Sequence, residues 1–218
     1  MKLLTTALFA ALTLPPMSGC VAHKMYNPEP EQYISAVTLA EHPKATADLA
    51  IIEFDEHGMF WDRQQLDDTV ELIRQRNAEQ ENGIIVLVFV HGWKNNADPN
   101  FESVPRFRRR IEDIMAEQAR AAENIPRHVV GVFIGWRGRS SALPIQGDAT
   151  FWGRQAAAQR MVSYNTREAF FRLADVTDER HESTCAIVGH SMGGLIVGKT
   201  LGPALTTLLL RDGREGVE

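Results

Sequence analysis

Cysteine is nearly absent: Cys20 and Cys185 are the only two in 218 residues. One follows an N-terminal apolar stretch and the other sits inside an apolar strand pattern, so there is no disulfide framework to propose. A buried, inert thiol is the expected state of Cys185. Long apolar runs are missing as well. The stretch from Leu3 to Leu14 covers about 12 residues, whereas a membrane-spanning helix needs roughly 20. Positive charge is not in excess, with 23 Lys and Arg against 28 Asp and Glu and a net charge of −5, so nothing here favours nucleic acid as a partner. No Cys/His or carboxylate spacing suggests a metal site, and no cofactor is called for. Internal repeats and low-complexity segments are also absent. What remains, 44% hydrophobic and 23% charged, is an ordinary globular chain long enough for one sizeable core.

The first twenty residues, MKLLTTALFAALTLPPMSGC, read as an address: one Lys, the short apolar stretch, then small residues. The closing MSGC resembles the bacterial lipobox, with Met17 in place of the usual Leu. That resemblance implies a signal peptide over 1–19, a lipid on Cys20 as the first mature residue, and attachment to a membrane of the bacterial cell envelope, facing the periplasm or exterior. Residues 20–47 carry three prolines after the Cys and little periodicity, and read as a tether. The domain is expected over 48–218.

From there apolar strands alternate with helical patterns. DLAIIEF (48–54), GIIVLVFV (83–90), HVVGVFIGW (128–136) and TCAIVGH (184–190) read as strands, and the second is apolar enough to be buried on both faces. Helices are expected over 64–80, with Leu66, Val70 and Ile73 on one face, around Phe107, Ile111, Ile114 and Met115, over roughly 151–174, and from Met192 to about Leu210. This rhythm predicts an α/β fold with a largely parallel sheet and helices on both faces.

Within it, Gly189-His190-Ser191-Met192-Gly193 forms a G-x-S-x-G pattern where a buried strand passes into a helix. The bare pattern arises by chance in about one chain in fifteen of this length at a glycine frequency of about 7%, so the strand–turn–helix context carries the weight. A serine on such a turn is strained and exposed, and glycines are needed where a Cβ would strike the neighbouring strand and helix. The helix starting at Met192 directs free N–H groups toward the same point.

A second motif, His91-Gly92-Trp93, follows another buried strand directly. Acyl transfer needs a second backbone donor beside the nucleophile to hold a tetrahedral oxyanion. The two donors would be the N–H groups of Trp93 and Met192. Together the "HG" loop and the "GHSMGG" elbow resemble the lipase and esterase branches of the α/β-hydrolase superfamily, over roughly residues 48–210. The resemblance implies Ser191 as catalytic nucleophile on ester or acyl-lipid substrates, through an acyl-enzyme. It also makes His91, Gly92, Gly189 and Gly193 the supports of the motif, His91 by shaping the oxyanion loop. His190 should point away from the serine.

The other histidines, His23, His42, His57, His128 and His181, fall in the tether, in loops or at strand edges, where most are expected to be solvated. RFRRR (106–110) is expected on a solvated helix face, with anionic headgroups as its alternative contact. The superfamily places its triad acid and histidine after the serine in chain order, at the ends of later strands, and the 27 residues after Ser191 hold no histidine and no further strand pattern to carry the acid. The resemblance therefore implies an α/β-hydrolase domain lacking its C-terminal strands. Three functions stay open: a lipid-anchored serine esterase, a non-catalytic envelope lipoprotein using the fold as a binding module, and a thioesterase or acyltransferase on the same elbow.

Overall fold

A computed structural model describes residues 24–121, 126–139 and 151–215, with side chains through residue 207. Cys20 and the signal peptide lie outside the described residues.

Five strands form one mixed sheet in the order β1-β2-β4-β3-β5. β2 (Thr46–Glu53), β4 (His128–Gly135), β3 (Ile84–Val90) and β5 (Thr184–Gly189) are parallel neighbours, and β1 (Ile34–Thr38) adds antiparallel to β2. In register, Val88 lies beside Val132 on one side and Ile187 on the other. The chain is thus α/β with a largely parallel sheet, as its alternating pattern predicts.

Helices cover both faces unequally. On one face α2 (Gln64–Glu79), α4 (Phe151–Arg160), α5 (Tyr164–Asp178) and the start of α6 (Met192–Glu215) pack Leu66, Ile73, Ala158, Phe170, Leu173 and Ile196 onto Ile52, Val86, Val88, Val132 and Ile134. On the other, α3 (Ser103–Ala121) lays Phe107, Ile111 and Met115 over Leu49, Ile51, Val129 and Phe133. Only β4 is fully buried along its length; β3 alternates between buried and half-buried, contrary to the expectation of burial on both faces. Beside it, β5 exposes Thr184, Ala186 and Val188. The half-covered side is a groove of about 650 Å³ between α3 and the β3–β5 face, floored by Leu87, Phe89 and Val188. Among the described residues no helix is long and apolar enough to cross a membrane.

Three further sequence expectations need correction. From Lys24 on, the supposed tether is part of the folded domain: the short helix α1 (Pro30–Tyr33) leads into β1, and Tyr33 and Val37 are buried. Before that, the Tyr26 and Asn27 N–H groups donate to the Glu53 carboxylate at 3.0 and 2.8 Å. A five-residue edge strand with one buried side chain is too short to show periodicity. The expected single helix over 151–174 is two, because the Ser163 hydroxyl caps α5 by accepting from the Thr166 N–H at 3.3 Å, and local capping overrides the continuing apolar pattern. Finally, His128 is buried. Its Nε2 lies 2.9 Å from Asp48 Oδ2 and its Nδ1 2.7 Å from Thr46 Oγ1, while Arg76 donates to the same Asp48 oxygen at 2.7 Å. Burial alone would raise the Asp48 carboxyl, but the hydrogen bonds from His128 and Arg76 hold it below its ordinary range. The arginines of RFRRR are partly committed: Arg106 pairs with Glu102, Arg110 with Asp113, and Arg108 reaches Ser35 and Ala36 on β1.

Candidate active site

β3 and β5 end side by side, and the two glycine motifs follow them directly. The His190 N–H donates to Val90 O at 3.1 Å, extending the β3–β5 pairing by one bond before the chain turns. Ser191 occupies that turn with φ 55°, a left-handed conformation that costs any residue with a Cβ on the order of 1 kcal/mol. The turn is closed by Gly193 N–H donating to His190 O at 2.9 Å and Leu195 N–H to Ser191 O at 3.2 Å. Ser191 is exposed, while Met192 is buried behind it.

Close approach explains the glycines. A Cβ on Gly193 would stand 2.1 Å from Val90 O, and one on Gly189 would stand 2.4 Å from the Gly193 carbonyl. On Gly92 it would stand 2.7 Å from His190 Nδ1 and 3.1 Å from Ser191 Cβ. The "HG" loop and the elbow, about a hundred residues apart in sequence, are therefore packed against each other.

His91 is the pillar of the loop. It is buried, its Nδ1 lies 2.9 Å from Gly92 O, and its Nε2 accepts from the Trp136 N–H at 3.0 Å. With Nε2 accepting, Nδ1 carries the proton and donates to Gly92 O. Burial lowers its pKa to about 4, so the ring is neutral near pH 7 and both nitrogens are spoken for. It therefore shapes the loop and has no free nitrogen to offer the serine. His190 is exposed and lines the groove on the α3 side, beside Gly92.

Trp93 is half-buried, its ring meeting Phe151 edge-on at 5.1 Å. Neither the Trp93 nor the Met192 N–H donates to an acceptor among the described residues. Two residues of this region escaped the sequence reading. Asn95 Nδ2 donates to Gly92 O and Trp93 O at 3.3 and 3.1 Å, bracing the loop from beneath. Gly138, after β4, accepts from Lys94 N–H at 3.1 Å and comes so near that a Cβ there would stand 2.8 Å from Gly92 O. The signal for Gly138 is its position: a glycine just past the end of a buried strand, in FIGWRG.

Cys185 is half-buried on β5, and burial pushes its thiol up to about 11. Among the described residues no cluster of three or more His, Cys, Asp or Glu side chains could hold a metal ion, and no acid or base hydrogen-bonds to the Ser191 hydroxyl. No family model, curated protein or solved structure matches the chain.

Proposed function

We propose that the chain is a serine hydrolase with an α/β-hydrolase fold, held to a bacterial envelope membrane by a lipid on Cys20. It acts on carboxylic esters, acyl lipids among them. The observation that carries this reading is Ser191 itself: an exposed, non-glycine residue held at positive φ on a strand-to-helix turn. That is the geometry a nucleophile elbow requires. In the proposed reaction Ser191 Oγ attacks the ester carbonyl and gives up its proton to a base, and the alkoxide departs once it is protonated. An acyl-enzyme remains for water to cleave. The Trp93 and Met192 N–H groups hold the oxyanion. The same elbow serves a thioesterase, or an acyltransferase in which an alcohol replaces water as the acceptor.

A fluorophosphonate probe tests the reading, because it labels only an activated serine. Labelling of the protein and none of Ser191→Ala supports it. Absence of labelling in both favours the second reading, a non-catalytic lipoprotein that keeps the fold as a binding module. In favour of that second reading, no base reaches Ser191 among the described residues. An unassisted serine hydroxyl is a weak nucleophile.

A further inference from the structure

The chain between Cys20 and the first strand is seated on a buried carboxylate. Glu53 ends β2, is 2% exposed, and accepts from the Tyr26 N–H at 3.0 Å, the Asn27 N–H at 2.8 Å and Asn27 Nδ2 at 3.0 Å. Gln65 completes the seat from α2: its Nε2 donates to Asn27 O and its Oε1 accepts from the Glu53 N–H, both at 2.8 Å. Asn27 and Gln65 are fully buried. A carboxylate this deep is costly without its donors, so lifting Tyr26 and Asn27 away would leave Glu53 buried and short of partners. That cost ties these two residues to the end of β2.

The same two residues reach the loop that follows β3. Asn27 Nδ2 also donates to Ala97 O at 2.9 Å, and Asn96 Nδ2 donates to the Tyr26 hydroxyl at 3.1 Å. Asn96 and Ala97 are buried, and Ser103 Oγ, at the start of α3, donates to Asn96 O at 2.6 Å. Ala97 also lies against the end of β4, where a Cβ added to Gly135 would stand 2.6 Å from its own. His91 thus fixes the near end of the loop through Trp136, Tyr26 and Asn27 hold its far end, and Trp93 lies between.

We propose that Tyr26 and Asn27 are positioning residues for the oxyanion loop: strapped onto Glu53, they hold Asn96 and Ala97 in place and, with them, the Trp93 N–H. The hold on the loop stands on hydrogen bonds, and its effect on reaction rests on the hydrolase reading above. With Cys20 lipidated as proposed, the link between anchor and domain is a working part of the site.

The test uses the full chain and two separate readouts, native-state amide hydrogen exchange and fluorophosphonate labelling per folded molecule. The Lys94 and Asp98 N–H groups, which donate to Gly138 O and Asn96 Oδ1, report the loop. Asn27→Ala removes the side-chain bonds to Glu53 and Ala97 and should speed their exchange about tenfold, the effect of losing one hydrogen bond to a charged group. Tyr26→Phe removes one hydroxyl from a half-buried ring and serves if Asn27→Ala does not fold; exchange at Asp98 should rise roughly fivefold. Asp48→Ala destabilises the sheet from its opposite end and should leave both amides at their native rate, which separates positioning from a general loss of stability. Labelling should slow severalfold in Asn27→Ala and not in Asp48→Ala, because the probe's phosphoryl oxygen needs the same donors. Loop exchange that is unchanged in Asn27→Ala and Tyr26→Phe, or raised equally in Asp48→Ala, would overturn the strap. Faster exchange with unaltered labelling would overturn its hold on the donor. If the unaltered chain takes up no probe, the hydrolase reading fails and exchange alone decides the strap.

Discussion

His91 and Trp136 hold each other by both backbone and ring. The imidazole and indole stack 5.4 Å apart and within 7° of parallel, the Trp136 N–H donates to His91 Nε2, and the indole N–H donates to His91 O at 2.8 Å. This pairing ties the end of β4 to the end of β3 and fixes the loop that carries the Trp93 N–H. It also makes His91 a pH-sensitive element. Its folded pKa, about 4, lies below the ordinary value of 6.5, so the unfolded chain binds the proton first. The stability it contributes is full above pH 6.5 and is lost as pH falls toward 4. The loss amounts to at most about 3 kcal/mol over that window. The buried Glu53 carboxyl, raised by burial against hydrogen bonds from Asn27 and Tyr26, acts in the opposite sense. Urea denaturation of the protein and of His91→Gln at pH 7 and pH 5 isolates the histidine: the gap between them should narrow at the lower pH.

At Ser191, stability and chemistry should part. Glycine adopts φ 55° without strain, so Ser191→Gly is expected to stabilise the fold by about 1 kcal/mol while removing the hydroxyl. Ser191→Ala keeps the strain and should leave stability within about 0.5 kcal/mol. Thermal unfolding of the three proteins gives the order, and a less stable Gly variant would refute the strained turn.

The glycines of α6 should divide by what lies around them. Gly193→Ala drives a methyl into Val90 O, a backbone atom that cannot swing aside, and should cost at least about 3 kcal/mol or prevent folding. Gly198, five residues along the same helix, has nothing within 4 Å of an added Cβ. There Gly198→Ala should stabilise by about 0.5–1 kcal/mol through helix propensity. Circular dichroism melts of the pair measure the contrast.

At the other end of the sheet, Asp48→Ala strips the shared acceptor from His128 and Arg76. A buried partner lost in this way costs about 3–5 kcal/mol, and the half-exposed Arg76 places the expected loss near the lower figure. Because this network joins the amino ends of β2 and β4, fluorophosphonate labelling per folded molecule should match that of the unaltered chain.

Legibility followed the length of each pattern. β3 and β4, continuous β-branched runs, and α2, with its apolar face ended by Asn82-Gly83, were readable because several residues repeat one instruction. β1 was not, since its place depends on pairing with β2 and on Val37 alone. The same holds for His128, whose partners Asp48 and Thr46 are some eighty residues away in sequence. At the elbow the glycines announced close approach before the distances were known. What they approach, Val90 O for Gly193 and His190 for Gly92, depends on the lateral order of strands, which local periodicity does not encode. Gly138 escaped for that reason, whereas Asn95 braces its own loop through Gly92 O and Trp93 O, a local turn that apolar periodicity does not mark.

The strand order also sets a timetable for synthesis. β2 leaves the ribosome well before β4, the only parallel neighbour it has, and β3 emerges between them without being able to pair with β2. Until residue 135 is out, the nascent chain can close little more than the β1–β2 hairpin, and such non-local pairing is slow. The final seam is β3 with β5, and it brings Ser191 against Gly92. A nascent chain stalled before β5 would hold the loop of His91 and the sheet beneath it, yet have no serine to place beside them.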